Sequence, residues 1–300
     1  MVKLYADYRR SLKRPEAEEL ADLYIYRPLG FIVVKALYRT PITPNQLSLF
    51  SMFLGIMAGV FFGHGDERAL VTGACFLFFS IVIDCSDGQL ARLKKNGTPL
   101  GRLIDGLSDY VVGVAVYVGL GIGFAQEAGS PSYWWFLIAA AALSHGLHSL
   151  AFDYYRNRFL DSIRDGPSPS SIDDDIRKFQ NENDQLRGRK RTLLRRAFIW
   201  TYLRYSLLQK KLNPGPDMSR EAKAVDTEEF YRRNKVTIRL WSFLGSSTQG
   251  SILIAAALLR HLDFYFWGII VVRNVWAAAT YIVQHRMTAR LEEEAEEKPS

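Results

Sequence analysis

Long uncharged stretches alternate with charged ones along this chain of 300 residues. Only Arg273 interrupts the six apolar stretches, which run over 46–63, 69–83, 110–125, 132–152, 241–259 and 264–284. Each reaches or approaches the ~20 residues that a helix needs to cross ~30 Å of hydrocarbon, once helical extensions are counted. A soluble helical bundle would place polar residues on one face at helical spacing, and these stretches show almost none. We therefore predict an all-α integral membrane protein with six transmembrane helices.

Polar segments divide this predicted membrane protein into five parts. Thr43 and Pro44 are typical of a helix N-terminus, so the first crossing should begin there. Before it, residues 16–39 mix aromatic, leucine and basic residues, which predicts an amphipathic helix at the membrane interface. The charged stretch after the fourth crossing should be a solvated insertion that holds two amphipathic helices, one of them around 190–211. The predicted parts are an N-terminal interfacial segment (1–43), four crossings (44–156), a polar cytoplasmic insertion (157–235), two further crossings (236–286) and an acidic tail (287–300).

Basic residues are concentrated on one side of the predicted membrane topology. Residues 157–235 contain 18 lysines and arginines, whereas the three turns on the opposite side contain one arginine, none and one arginine. Segments rich in lysine and arginine stay in the cytoplasm, so both chain ends are expected there. The net charge of +7 therefore indicates topology and attraction to anionic membrane lipid. No nucleic-acid-binding motif accompanies this charge, and we expect no nucleic-acid partner.

Four aspartates stand between two of the most apolar stretches, in DCSDGQLARLKKNGTPLGRLIDGLSD at 84–109. Asp84 and Asp87 are three residues apart and share one helix face, while Asp105 and Asp109, four apart, share another. A short turn between the two helices makes them antiparallel neighbours, so their carboxylates can meet just under the membrane surface. Carboxylates gathered there would repel each other and lose hydration, which is costly unless a cation joins them. The spacing predicts two divalent cations such as Mg²⁺ or Mn²⁺, an arrangement suited to phosphoryl transfer.

Small residues and an arginine are interspersed with the aspartates. Gly88, Ala91 and Gly101 remove side-chain bulk where a ligand would have to approach the helix backbones. Arg92, one turn beyond Gly88, can neutralise a phosphate. Two aspartates at a helix end are ordinary, and the neighbouring lysines and arginines could simply pair with them. The complete spacing, D-x2-D-G-x2-A-R-x8-G-x3-D-x3-D, argues against that purely structural explanation.

This spacing resembles the signature of the CDP-alcohol phosphotransferases, also called CDP-alcohol phosphatidyltransferases. Every fixed position of the signature is present, and TPNQ before the first crossing fits as well. The resemblance covers roughly 40–160 and 236–286, whereas the insertion 157–235 is longer than in the short bacterial members. It implies a transferase of phospholipid biosynthesis in a bacterial or archaeal cell membrane, with its active site facing the cytoplasm. It also implies a homodimer.

The resemblance assigns roles to the motif residues. The implied ligands of two divalent ions, Mg²⁺ or Mn²⁺, are Asp84, Asp87, Asp105 and Asp109. Asp109 is also implied as the general base for the acceptor hydroxyl. The residues implied to line the CDP site are Gly88, Ala91, Arg92 and Gly101. In this chemistry the hydroxyl attacks the phosphorus that carries the non-nucleotide group, and CMP leaves.

Two other functions compete with this hypothesis. A membrane prenyltransferase also uses aspartates and Mg²⁺ to bind a diphosphate, but six crossings are fewer than that fold is expected to need. A cation transporter could use the carboxylates as an ion site, although such sites are typical of mid-membrane positions and not of adjacent helix ends. Release of CMP would indicate the phosphotransferase, and release of pyrophosphate would indicate the prenyltransferase. Ion flux without nucleotide would indicate the transporter.

The resemblance implies a CDP-linked lipid donor and a small alcohol acceptor. The moderate size and six crossings resemble the family members that use CDP-diacylglycerol with a soluble alcohol more than the larger eukaryotic choline and ethanolamine enzymes. Our preferred acceptor is a phosphorylated polyol such as inositol phosphate. Glycerol phosphate, serine, another alcohol, or transfer from a CDP-aminoalcohol to diacylglycerol remain alternatives. Arg156 and Arg273 are candidate acceptor-binding residues, because an arginine as deep in the membrane as Arg273 usually faces a cavity or a partner. Arg156 could equally be an anchor at the inner membrane face.

Overall fold

The computed structural model describes residues 2–12, 15–127, 131–162, 172–186, 196, 199–200, 203–204 and 227–296. These residues form helices and no strands. Most of the predicted insertion, with the amphipathic helix expected around 190–211, lies outside the described residues. The helices are α1 (Val2–Ser11), α2 (Arg27–Leu37), α3 (Pro44–His64), α4 (Glu67–Lys94), α5 (Pro99–Glu127), α6 (Pro131–Ser162), α7 (Ile172–Gln185), α8 (Thr227–Ser242), α9 (Ser246–Leu259), α10 (Leu262–Trp267) and α11 (Asn274–Glu296).

The prediction of an all-α membrane protein with six crossings is confirmed. Six helical spans in the described residues have the length and apolar composition to cross a bilayer: 44–64, 67–94, 104–126, 131–160, 230–259 and 262–287. The first four correspond to α3, α4, α5 and α6. The fifth joins α8 to α9, and the sixth joins α10 to α11 through the π-helical turn Gly268–Arg273. Helix α11 continues to Glu296, so much of the segment predicted as an acidic tail is helical.

The ends of α3 and α4 follow from the local sequence. Thr43 caps α3 as predicted, since its hydroxyl accepts a hydrogen bond from the Gln46 backbone while the Gln46 side chain accepts one from the Thr43 backbone. Asp66 caps α4 by accepting from the two backbone amides of Arg68 and Ala69, both at 3.0 Å. Helix α4 ends at Lys94, and the following residue Lys95 has a φ of 53°, which lies in the left-handed region.

Helices α3 and α5 pack with their backbones in contact. A methyl group built on Gly59 would lie 2.3 Å from the carbonyl oxygen of Ala115, and one built on Gly119 would lie 1.9 Å from the carbonyl oxygen of Gly59. No side chain fits between backbones this close, and glycines on facing surfaces are the usual solution in membrane helices. Because α5 carries Asp105 and Asp109, this contact helps to set their position relative to α3.

Two apolar clusters hold the remaining helices together. The larger one lies among the membrane helices, and its residues Phe62, Leu120 and Phe266 are fully buried. The second cluster joins α6 to α8 through Trp241, whose ring stacks on Tyr155 with 4.3 Å between the ring centroids. These contacts place the C-terminal helices beside the end of α6.

The N-terminal segment combines an apolar surface with charged residues that are buried. Helix α2 is amphipathic as predicted, with Phe31 buried and Ile32 exposed. The preceding turns bury Glu18, Glu19 and Asp22, which a helix lying on the membrane surface would have left in water. Glu18 forms an ion pair of 2.9 Å with Arg27, which is also buried.

Glu19 supplies the N-terminal cap of a helix far away in the sequence. Its carboxylate accepts hydrogen bonds from the backbone amides of Thr248 at 2.7 Å and Ser247 at 3.3 Å, and from the Thr248 hydroxyl at 2.8 Å. It thereby satisfies donors in the first turn of α9, whose own preceding residue is Gly245 and offers no side-chain cap. Burial and the nearby Asp22 carboxylate raise the pKa of Glu19 from its usual 4.5 to about 8.

Candidate active site

The predicted aspartates converge where α4 ends and α5 begins. Asp84 and Asp87 lie on the last three turns of α4, and Asp105 lies in the second turn of α5. Each of these three residues offers a carboxylate oxygen, and the three oxygens all lie within 4.8 Å of one another. The helical spacing that suggested a common face on each helix therefore brings the three carboxylates together.

Asp109 faces the same group from one turn further along α5. Its charge repels those of Asp84, Asp87 and Asp105, although it lies outside the trio with oxygens within 4.8 Å. Its side chain is exposed on the surface of the single chain, whereas Asp87 is buried. Asp109 is thus adjacent to the cluster and accessible to a second molecule.

Asp87 has a hydrogen-bond donor from outside the motif. The hydroxyl of Ser48, in the second turn of α3, donates to Oδ2 of Asp87. Ser48 is itself buried, with 3 % of its surface exposed. This contact joins the metal-ligand candidate on α4 to the helix that packs against both α4 and α5.

Arg92 lies over Gly88, one turn away on α4. A methyl group built on Gly88 would lie 3.4 Å from Nη1 and 3.5 Å from Nη2 of Arg92. The Arg92 Nε donates to the carbonyl oxygen of Ser11 at 2.5 Å, which orients the guanidinium. Its Nη2 is buried and has no hydrogen-bond partner among the described residues. The unpartnered Nη2 of this charged guanidinium could donate a hydrogen bond to an anion such as a phosphate.

Gly101 and Ala91 occupy two further predicted ligand-facing positions. A methyl group on Gly101 would lie 2.8 Å from the Asn45 side-chain oxygen, so this glycine also allows α5 to approach the first turn of α3. Ala91 is half-buried, and its methyl group would lie 3.9 Å from a methyl group built on Gly97 in the α4–α5 turn.

The donor set at this site fits a divalent cation. Three carboxylates within 4.8 Å repel each other, and burial of Asp87 removes much of the water that could screen the repulsion. All the donors are oxygens, which are the ligands preferred by Mg²⁺ and Mn²⁺.

Comparison with known proteins agrees with the motif and its geometry. Residues 41–166 match the family model described as CDP-alcohol phosphatidyltransferase. The chain carries a CDP-alcohol phosphatidyltransferase domain. This transferase domain contains α3, α4, α5 and α6 and hence all four motif aspartates, which confirms the recognised family.

The chain is also similar to parts of several curated proteins. It is 31 % identical over 97 residues to "Bifunctional IPC transferase and DIPP synthase" of Rubrobacter xylanophilus, covering 31 % of this chain and 22 % of that protein. It is 28 % identical over 89 residues to "Phosphatidylinositol phosphate synthase" of Mycobacterium tuberculosis, covering 29 % and 40 %. A third relative, "Bifunctional IPC transferase and DIPP synthase" of Thermococcus kodakarensis, is 24 % identical over 181 residues, covering 59 % and 38 %. The matched part is less than half of the length of each relative.

Arg156 and Arg273, the candidate acceptor-binding residues, have different surroundings. Arg156 pairs with Asp153 at 2.9 Å, and its charge attracts that of Asp109. Arg273 donates from Nη2 to the carbonyl oxygen of Phe243 at 2.5 Å, a partner in the turn between α8 and α9 that the sequence did not reveal. The Nε of each arginine is nevertheless buried without a hydrogen-bond partner among the described residues.

Two histidines in α6 have structural partners in the membrane interior. The Tyr117 hydroxyl lies 2.8 Å from Nδ1 of His145, and Nε2 of His148 lies 3.0 Å from the side-chain oxygen of Asn274. Hydrogen bonding between α5, α6 and α11 therefore accounts for both.

Sequence reasoning missed the residues that support the site from outside the motif. Ser48 contacts Asp87, Asn45 lies against Gly101, and the backbone of Ser11 holds Arg92. The cap at Thr43 was a usable signal for the first two, because it places Asn45 and Ser48 in the first turns of α3. Nothing in the sequence around Ser11 indicated its contact.

Proposed function

We propose that this protein is a membrane-embedded transferase that moves a substituted phosphoryl group from a CDP-linked donor to an alcohol hydroxyl and releases CMP. The donor in this proposal is CDP-diacylglycerol, which makes the transferred group a phosphatidyl group. The observation that carries the proposal is the convergence of Asp84, Asp87 and Asp105 at the ends of two membrane helices within a matched transferase domain. The position of this site lets a water-soluble nucleotide and a lipid tail be bound by one molecule.

Arg92 and Gly88 are the proposed binding residues for the diphosphate of the donor. The unpartnered Nη2 of Arg92 can donate to a phosphate oxygen, while its Nε remains fixed by the Ser11 carbonyl. Gly88 leaves the α4 backbone open beside the guanidinium. Ala91 and Gly101, which carry little or no side chain, are the proposed positions for the rest of the CDP group.

Asp109 is the proposed general base. It would take the proton from the acceptor hydroxyl as the oxygen forms a bond to the phosphorus carrying the lipid, while the bond from that phosphorus to the CMP oxygen breaks. Mg²⁺ or Mn²⁺, held by Asp84, Asp87 and Asp105 with Asp109 beside them, would neutralise the charge of the diphosphate and of the leaving CMP. The exposure of Asp109 supports its access to a second substrate.

A phosphorylated polyol such as inositol phosphate is the proposed acceptor. Two kinds of observation support this choice. The relatives named above include a phosphatidylinositol phosphate synthase. Arg156 and Arg273 each retain a buried Nε without a partner among the described residues, and arginine binds phosphate with paired donors.

The proposed setting is a bacterial or archaeal cell membrane, with the site on the cytoplasmic side and the chain assembled as a homodimer. The charge asymmetry of the segments between crossings supports this orientation. The donor lipid and the surrounding membrane lipid are then the partners of the transferase, together with the soluble acceptor.

Nucleotide release tests the proposed reaction. Purified protein in detergent with Mg²⁺ or Mn²⁺ should release CMP from CDP-diacylglycerol when an acceptor alcohol is added, and EDTA should abolish the release. Asp84→Asn serves as the inactive control. A panel of inositol phosphate, glycerol phosphate, serine and free inositol then identifies the acceptor. Release of pyrophosphate, or turnover that continues in EDTA, would refute the proposal.

A further inference from the structure

Ser48 is a buried hydroxyl outside the transferase signature that contacts one of the signature's carboxylates. Its Oγ donates to Oδ2 of Asp87, and a weaker alternative acceptor, the carbonyl oxygen of Pro44, lies 3.3 Å away. A serine hydroxyl has a single proton, so the ionised carboxylate is the preferred acceptor. The hydrogen bond therefore links the second turn of α3 to the ligand cluster.

The helix that carries Ser48 holds a fixed position relative to both halves of the motif. Its first turn places Asn45 against Gly101 on α5, and its middle places Gly59 against the backbone of α5. A hydroxyl on such a helix approaches Asp87 from a defined direction. Hydrogen-bond partners of metal-ligating carboxylates orient them for the metal and keep their oxygens from rotating away.

We propose that Ser48 is a positioning residue, which fixes the Asp87 carboxylate so that its other oxygen faces the cation shared with Asp84 and Asp105. This inference rests on the proposed metal-dependent function. Without the Ser48 hydroxyl, Asp87 would keep its charge but its carboxylate would no longer be held in one orientation. Cation binding would then have to fix that orientation, which lowers the affinity for the cation.

The other side chains near Asp87 do not provide the same support. Asp84 and Asp105 repel its charge. Arg92 attracts it through its charge, but the Nε of Arg92 donates to the Ser11 carbonyl and its guanidinium lies over Gly88. The Gly88 backbone amide donates to the Asp87 carboxylate from the same helix, so Ser48 is the side chain that supports Asp87 from another helix. Ser51, one turn further along α3, donates to the backbone oxygen of Ser48 at 2.8 Å and not to the motif. It is buried to a similar degree, with 2 % of its surface exposed, which makes it a matched control.

Direct Mn²⁺ binding, measured on the purified full-length protein by electron paramagnetic resonance without any substrate, tests the proposal. Ser48→Ala should raise the Mn²⁺ dissociation constant about 10- to 100-fold, the range found when such supporting partners are removed. Ser51→Ala should bind Mn²⁺ like the wild type, and Ser48→Thr, which keeps a hydroxyl, should recover most of the affinity. In an Asp87→Asn background, Ser48→Ala should lower the Mn²⁺ affinity little further, because the carboxylate that Ser48 contacts has already been replaced.

The possible results separate this inference from the proposed function. Unchanged Mn²⁺ affinity in Ser48→Ala would overturn the role of Ser48, as would an equal loss in Ser51→Ala. Failure of the wild type to bind Mn²⁺ would instead overturn the metal centre itself. If Ser48→Ala does not fold, as judged by circular dichroism and gel filtration, Ser48→Cys replaces it, because a thiol of similar size is a poor donor.

Discussion

The backbone contact between α3 and α5 predicts a large difference between two glycine-to-alanine substitutions on the same helix. A methyl group on Gly119 would lie 1.9 Å from the carbonyl oxygen of Gly59. Real side-chain carbons almost never approach a heavy atom within 3.0 Å, so the helices would have to separate by about 1 Å. A methyl group on Gly113, also on α5, would meet no described atom within 4 Å.

The cost of Gly119→Ala follows from these distances. Overpacking of a close contact costs about 1–3 kcal/mol. Both substitutions gain about 0.5–1 kcal/mol because alanine loses less backbone entropy than glycine in a helix, and this gain cancels in the comparison. At ~2–4 °C per kcal/mol for a chain of this size class, a mid-range cost of ~2 kcal/mol lowers the thermal midpoint of Gly119→Ala by about 4–8 °C relative to Gly113→Ala.

Thermal unfolding in detergent, followed by tryptophan fluorescence, measures this difference. Gly59→Ala should behave like Gly119→Ala, because its methyl group would lie 2.3 Å from the carbonyl oxygen of Ala115. Gly113→Ala should match or exceed the wild type. If Gly119→Ala and Gly113→Ala had the same midpoint, the backbone contact would not exist as described.

Three further outcomes are expected. Asp109→Asn should lower turnover more than it weakens binding of the CDP-lipid, because a base acts mainly in the transition state. This role would be contradicted if Asp109→Asn weakened CDP-lipid binding as much as Asp84→Asn does while the turnover of bound substrate stayed normal. Arg273→Ala should raise the KM of a phosphorylated acceptor about ten- to a hundred-fold with little change for the donor, and a loss of donor affinity alone would move Arg273 to the donor side. Glu19 has a pKa of about 8 in the folded protein and a usual value of 4.5, so between these values the folded state binds a proton that the unfolded state does not. The thermal midpoint of the wild type should therefore fall as pH rises from about 5 to 8. Glu19→Gln should flatten that part of the curve, and an unchanged slope would show that other groups cause it.

Much of the fold and of the central site could be predicted from the sequence because both depend on local patterns. Uncharged stretches of membrane-spanning length predicted the six crossings, and the Thr43 cap predicted the start of α3. The three- and four-residue intervals between the aspartates predicted which carboxylates share a helix face. A short turn between α4 and α5 then left little choice about how those faces meet.

The supporting contacts could not be predicted, because they join residues far apart in the chain and use common residue types. Ser48 is one of two serines in α3, and only the packing of α3 on α4 distinguishes it from Ser51. The glycines of α5 indicated close packing without naming Gly59 as a partner. Charged residues before α2 suggested contact with water and membrane surface, whereas Glu19 instead caps a helix that begins at Ser246.

The cap that Glu19 provides has a consequence for the order in which the protein assembles. Glu19 leaves the ribosome near the beginning of synthesis, but its donor Thr248 follows 229 residues later. Arg239, which donates to the carbonyl oxygen of Glu18 at 2.9 Å, follows Glu18 by 221 residues. The N-terminal segment therefore cannot complete its contacts until the fifth crossing has been made. Because the same segment contacts Arg92 through the Ser11 carbonyl, the arginine proposed to bind the diphosphate would reach its final environment only after the C-terminal helices have packed against the N-terminal segment.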